Sequence, residues 1–195
     1  MKLFSRRISR NQKRMIRTLE FLVRLLILAL PLYLILGLGI SLLPMQIATG
    51  NQSRWVLDNM GFRTQQDGAF IAVEDNVKPP FYFYLNDDCT GWKSMLFLFA
   101  LIFAVPGVMM SRRLWGLAAG IPVIWAGNIA RVVAVVVSER VYGLETAMLI
   151  HDYLWQIGLI VLVLTIWTIW LSWVRREQRK HTLLGRLKSL LLGAR

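Results

Sequence analysis

Three side chains equipped to move an acyl group are spread along this chain: the thiol of Cys89, the guanidinium of Arg131 and the imidazole of His151. A thiolate can attack a peptide carbonyl, an imidazole can shuttle the proton, and a guanidinium can stabilise the oxyanion or orient the substrate. Taken singly, each has a plainer reading. A lone cysteine is more often a small buried hydrophobe than a nucleophile. A lone histidine at a membrane surface is usually just polar, and an arginine near the end of an apolar helix can snorkel to the headgroups. Arg131 has Asn128 three residues earlier, on the same face of a helix, which favours a polar cavity over lipid. Cys89 lies at an expected helix start, where free N–H groups favour a thiolate, while Asp87 and Asp88 oppose it. At His151 a helix start disfavours the imidazolium and Asp152 favours it.

The elements that must position these groups are membrane helices. The chain of 195 residues is 56% hydrophobic with a formal charge of +12. Its apolar residues fall into four runs, 21–43, 91–110, 114–137 and 150–174. Each meets the roughly 20 residues a helix needs to cross the hydrocarbon core. The first run is too long for the core of a signal peptide and reads as a retained helix. The basic arm 1–20, the 112–113 link and the tail 175–195 hold sixteen cations and two acids, Glu20 and Glu177. The connections 44–90 and 138–149 are acidic by comparison. That bias predicts cytoplasmic termini and an in–out–in–out–in path. The cations then meet anionic headgroups rather than nucleic acid, and the tail leucines Leu183, Leu187, Leu190 and Leu191 suit an interfacial helix. Helix three carries Arg131 six residues, roughly 9 Å, before its end at Val137. Helix four begins near His151 and Asp152 and contains Gln156.

The loop 44–90 predicts a short amphipathic helix over Gln52 to Met60. Two strands follow, Gly68 to Val73 and Phe81 to Leu85, forming a hairpin lid on the extracytoplasmic surface. The expected fold is therefore all-α: one polytopic bundle of about four transmembrane helices under a small lid. With one cysteine there is no intramolecular disulfide and no CxxC pair. The two histidines fall on opposite sides of the membrane, which disfavours a zinc site, and no cofactor is expected. The topology brings the starts of helices two and four and the end of helix three to one membrane face. Cys89, Arg131 and His151 then share a depth.

With "DDCTGW" at 87–92, "GNIARVV" at 127–133 and "HDYLWQ" at 151–156, the chain resembles the exosortase/archaeosortase family over roughly residues 50–174. The family pattern is Cys-x-Gly, then Asn-x-x-Arg, then His, on successive membrane helices. Cys89 with Gly91, Asn128 with Arg131, and His151 match it. The resemblance implies a membrane cysteine transpeptidase with Cys89, Arg131 and His151 catalytic and Asn128, Gly91, Asp88 and Asp152 supporting. It implies partners as well: secreted proteins ending in a short motif, a membrane helix and a basic tail, with a lipid or other amine as acceptor. Hydrolysis alone would make the same constellation a membrane cysteine protease. A non-catalytic membrane binding or assembly protein would use Arg131 and Asn128 for an anionic ligand.

Overall fold

The computed structural model describes residues 9–75, 78–153 and 157–192, without side chains at 10 and 180–192. The first helix, α1 (Arg10–Leu38), opens on a capping box. The Ser9 hydroxyl accepts from the Gln12 N–H, and the Gln12 side chain accepts from the Ser9 N–H. The basic arm from Arg10 onward is thus the first turns of the spanning helix and not a separate surface element. Arg24, within this helix, pairs with Glu20 one turn back at 2.5 Å. Gly39, with φ of 60°, ends the helix in the left-handed region that glycine adopts freely.

The connection expected between 44 and 90 is more structured than its hydropathy suggests. Helix α2 (Leu43–Asn59) starts well before Gln52, and its buried face is largely polar: Gln46, Thr49, Gly50 and Ser53, then Leu57. A three-stranded antiparallel sheet follows: β1 (Arg63–Asp67), β2 (Phe70–Glu74) and β3 (Phe81–Tyr84), in that spatial order. Asp67 pairs with Phe70, so Gly68 and Ala69 form a two-residue hairpin turn. Strand β1, of sequence RTQQD, carries no apolar signal and escapes a hydropathy reading. The inward side chains of β2, Ile71 and Val73, meet Leu57 of α2 and Leu85. Together they pack on Ile129, Val132, Val133 and Val136 of the long helix below.

Among the described residues, three helices are long and apolar enough to span a membrane: α1, α4 (Met110–Tyr142) and the first part of α6 (Leu159–Leu192). The expected second span is shorter. Helix α3 (Trp92–Ala104) has 13 residues, about 20 Å of helix. Arg113 from the start of α4 reaches its end, donating to the carbonyls of Phe103 (2.8 Å), Val105 (2.9 Å) and Val108 (3.2 Å). Phe103 and the cap residue Val105 carry carbonyls that the helix terminus leaves without intrahelical partners, and Val108 belongs to the link. Helices α1, α3, α4 and α6 share a second core around Leu98, Ile102, Ile124 and Val163, with Phe21 and Leu25 of α1 against it.

Two boundaries differ from the hydropathy reading. Helix α4 runs five residues past Val137, so Arg131 lies about 16 Å before its end. The added turns rise into the sheet, where buried Arg140 donates to the carbonyls of Pro79 (2.8 Å) and Val73. His151 and Asp152 do not open the last span. They lie on a separate helix, α5 (Leu144–Tyr153), packed against α4 after Gly143 turns the chain at φ 89°. A π-type turn at Ile157 and Gly158 then leads into α6. Gln156 lies outside the described residues.

Candidate active site

The sequence between β3 and α3 is a string of turn formers, and they build a 3-10 turn over Asp87–Thr90. Asn86 starts it: its side-chain oxygen accepts the Cys89 N–H at 3.1 Å, and its carbonyl accepts the same N–H at 3.0 Å. The Thr90 hydroxyl donates back to the Asp87 carbonyl at 2.8 Å. Gly91 closes the turn at φ 75° and α3 begins at Trp92. Cys89 therefore precedes α3, and its own N–H is already engaged.

Two side chains from elsewhere hold this turn. Asn128 of α4, fully buried, donates its Nδ2–H to the Cys89 carbonyl at 2.7 Å. Gly91 makes that approach possible, since a Cβ at 91 would sit 3.2 Å from the Asn128 Cγ. The pairing of Cys-x-Gly with Asn-x-x-Arg thus has a steric cause. The second tether is Asp87, which sequence reasoning treated only as a charge beside Cys89. Its Oδ1 accepts the Leu42 N–H (2.9 Å) and the Gln46 Nε2–H (2.7 Å), capping α2 from the far side of the turn. Its signal in the sequence was only its membership of a turn.

Arg131 stands one helical turn along α4 from Asn128 and is 4% exposed. Its guanidinium faces the Cys89 thiol closely enough for the two groups to act on each other electrostatically. Its nitrogens nonetheless lack the geometry of a formed hydrogen bond with any described partner. Buried polar groups are nearly always satisfied, and a buried arginine with three free nitrogens is costly unless something anionic or polar meets it. The Asn128 Oδ1 is likewise unpartnered among the described residues, as are Gln46 Oε1, Thr49 Oγ1 and Ser53 Oγ on the buried face of α2. Helix α2 packs on both the 3-10 turn and α4. The α2 contribution is invisible to hydropathy, because a polar helical stripe reads as solvent-facing.

Burial pushes the Cys89 thiol above its usual range. The Arg131 cation and a hydrogen bond to the thiol from the Asn86 backbone pull it down, and Asp88 pushes it up again. Asp88 itself forms an ion pair with Lys93 at 2.5 Å. His151 is one-third exposed, and its Nδ1 lies 3.2 Å from Asp152 Oδ1. No described contact joins His151 to Cys89. The structure brings Cys89, Gly91, Asn128, Arg131 and Asp88 into one group, and His151 pairs with Asp152 on α5.

A family model described as transmembrane exosortase matches residues 9–171. The chain belongs to that family. The match covers α1 through most of the apolar part of α6, so the exosortase unit includes the helix α2, the sheet and every residue of the Cys89 turn. Family membership and the apolar helices together make this an integral membrane protein. No curated protein and no solved structure matches the chain.

Proposed function

We propose that this exosortase is a membrane cysteine transpeptidase that cleaves a C-terminal sorting signal of secreted proteins. The observation that carries the reading is the buried Arg131 guanidinium, paired with no carboxylate among the described residues and facing a thiol whose turn is clamped by Asn128. In the first step the Cys89 sulfur, having lost its proton, attacks the scissile carbonyl. The carbonyl π electrons move to oxygen, and Arg131 meets the resulting oxyanion. Collapse re-forms the carbonyl, breaks the C–N bond and leaves a thioester. The departing nitrogen takes a proton and carries away the C-terminal segment. An acceptor amine on a lipid or another molecule then attacks the thioester, giving an amide and restoring the thiol. Water in place of the amine would give a carboxylate, and the enzyme would be a protease. His151, with Asp152 at its Nδ1, is the imidazole on the side of the bundle where α4 ends, and it serves the proton transfers. The orphaned oxygens of Gln46, Thr49 and Ser53 suit the N–H groups of an extended peptide. The distribution of basic residues supports cytoplasmic termini and a site on the extracytoplasmic face.

The test is processing of a co-expressed substrate bearing a C-terminal motif, membrane helix and basic tail, read as the fraction of substrate that loses its helix. Cys89→Ala should abolish processing at normal membrane levels. Arg131→Lys should be severely impaired, because lysine lacks the planar fork. His151→Ala should be impaired less completely. Normal processing by Cys89→Ala would overturn cysteine catalysis in favour of a binding or assembly role. The mass of the new C-terminus separates amide from free acid.

A further inference from the structure

The opposite end of the bundle carries a second feature that the Cys89 chemistry does not use. A cleft of about 400 Å³ lies between α1, α6 and the link from α3 to α4. Its walls include Phe21, Val105, Val108, Leu171 and Val174, and its polar rim holds Arg17 from α1 and Arg175 from α6. No lining residue is acidic. Of the other cations on these elements, Arg24 pairs with Glu20 at 2.5 Å, Arg113 donates to the carbonyls of Phe103, Val105 and Val108, and Arg14 and Arg176 lie outside the lining. Arg17 and Arg175 have no carboxylate partner among the described residues. The cleft is also held in shape from within. Gln178 donates to the Gly107 carbonyl at 3.0 Å, and the Phe21 and Trp167 rings meet at 6.3 Å. The Trp167 indole N–H, on the same lining, has no acceptor among the described residues.

Both arginines lie in the terminal turns of helices long and apolar enough to span a membrane, and headgroups are expected at such ends. We propose that this cleft binds the phosphate headgroup of an anionic phospholipid. Arg17 and Arg175 take the phosphate from two sides, and the apolar wall takes the glycerol and upper acyl chain. A free phosphate would gain nothing from that wall. A basic peptide segment would be repelled by two unpaired guanidinium groups. A bound lipid would tie α1 to α6, the first and last of the described helices.

The experiment uses the full-length protein in detergent micelles and measures thermal stabilisation against added phosphatidylglycerol, phosphatidylcholine or inorganic phosphate. The expected result is saturable stabilisation by phosphatidylglycerol alone. Its apparent affinity should fall about 5-fold for Arg17→Gln or Arg175→Gln and about 25-fold for both, at about one charge contact per residue. The control pair Arg14→Gln with Arg176→Gln removes the same charge from the same two helices outside the cleft, and should change affinity less than about 2-fold by the same reasoning. Equal response to the two lipids would overturn the proposal. So would a control pair that weakens binding as much as the cleft pair, which would mean a diffuse basic belt. Inorganic phosphate that stabilises as well as the lipid would assign the site to a free anion instead. If the double variant fails to fold, native mass spectrometry of the wild-type protein supplied with both lipids decides. Selective retention of phosphatidylglycerol supports the site, and retention in the proportion supplied overturns it.

Discussion

Replacing Gly91 by alanine perturbs two things that meet at the Cys89 turn. The backbone at 91 has φ 75°, and an L-residue held there costs about 1–2 kcal/mol. The new Cβ would also sit 3.2 Å from Asn128 Cγ and 3.3 Å from its Cβ. Asn128 is fully buried and cannot withdraw without loosening its 2.7 Å bond to the Cys89 carbonyl. Weakening that bond adds about 1 kcal/mol, so Gly91→Ala should destabilise the protein by about 2–3 kcal/mol in total. Asn128→Ala alone should cost about 1–3 kcal/mol by leaving a buried carbonyl unpaired. It also clears the space in front of residue 91, so in that background Gly91→Ala should cost only the backbone part, about 1–2 kcal/mol. Reversible unfolding in mixed detergent micelles, run as a double-mutant cycle, gives both figures. Strictly additive costs would refute the steric coupling. A Gly91→Ala cost below about 0.5 kcal/mol would refute the backbone argument as well. Substrate processing should fall in both single variants, because the carbonyl clamp sets where the Cys89 sulfur points.

Other outcomes follow from the same geometry. Alkylation of Cys89 should be slow at neutral pH and accelerate at a pH above the ordinary thiol range, since burial raises its pKa. Arg131→Met removes the main lowering influence, so the rate–pH profile should move further up, and a downward move would contradict the placement of Arg131. Asp87→Ala should cost about 2–4 kcal/mol, from loss of the α2 cap and of the partner of buried Gln46, with Asp87→Asn recovering part of it in the same unfolding assay. Arg140→Met should free the sheet from α4 at a cost of about 3–5 kcal/mol, seen as faster proteolysis between β2 and β3, and unchanged cleavage would count against the clamp. Reporter fusions at Lys78 and Gly143 should report the outside, and those at Arg112 and Arg179 the inside.

Apolar length and charge placement were decided by the sequence alone. A run such as 21–43 has no low-energy home but a bilayer or a core, and the basic ends are local composition. Strands β2 and β3 were legible because β-branched and aromatic residues concentrate there, although the first was expected from Gly68, which the structure gives to the turn. Chemistry-bearing residue types were legible too: Cys89, Arg131, Asn128 and His151 stand out as polar groups set among apolar ones. Tertiary structure alone decided what required a partner from a distant segment. Strand β1 exists because β2 offers it a ladder, not because RTQQD favours a strand. Helix α2 hides a polar face because it packs on the Cys89 turn and α4, where Asp87 meets Gln46. The break that puts His151 on α5 and the carbonyl grip of Arg140 both depend on α4 rising past the apolar run to carry the sheet. Most of all, the place of Asn128 beneath Cys89 rests on the missing Cβ of Gly91, 37 residues away in sequence. Such a contact depends on a few tenths of an ångström between two helices, and only the packed structure sets that distance.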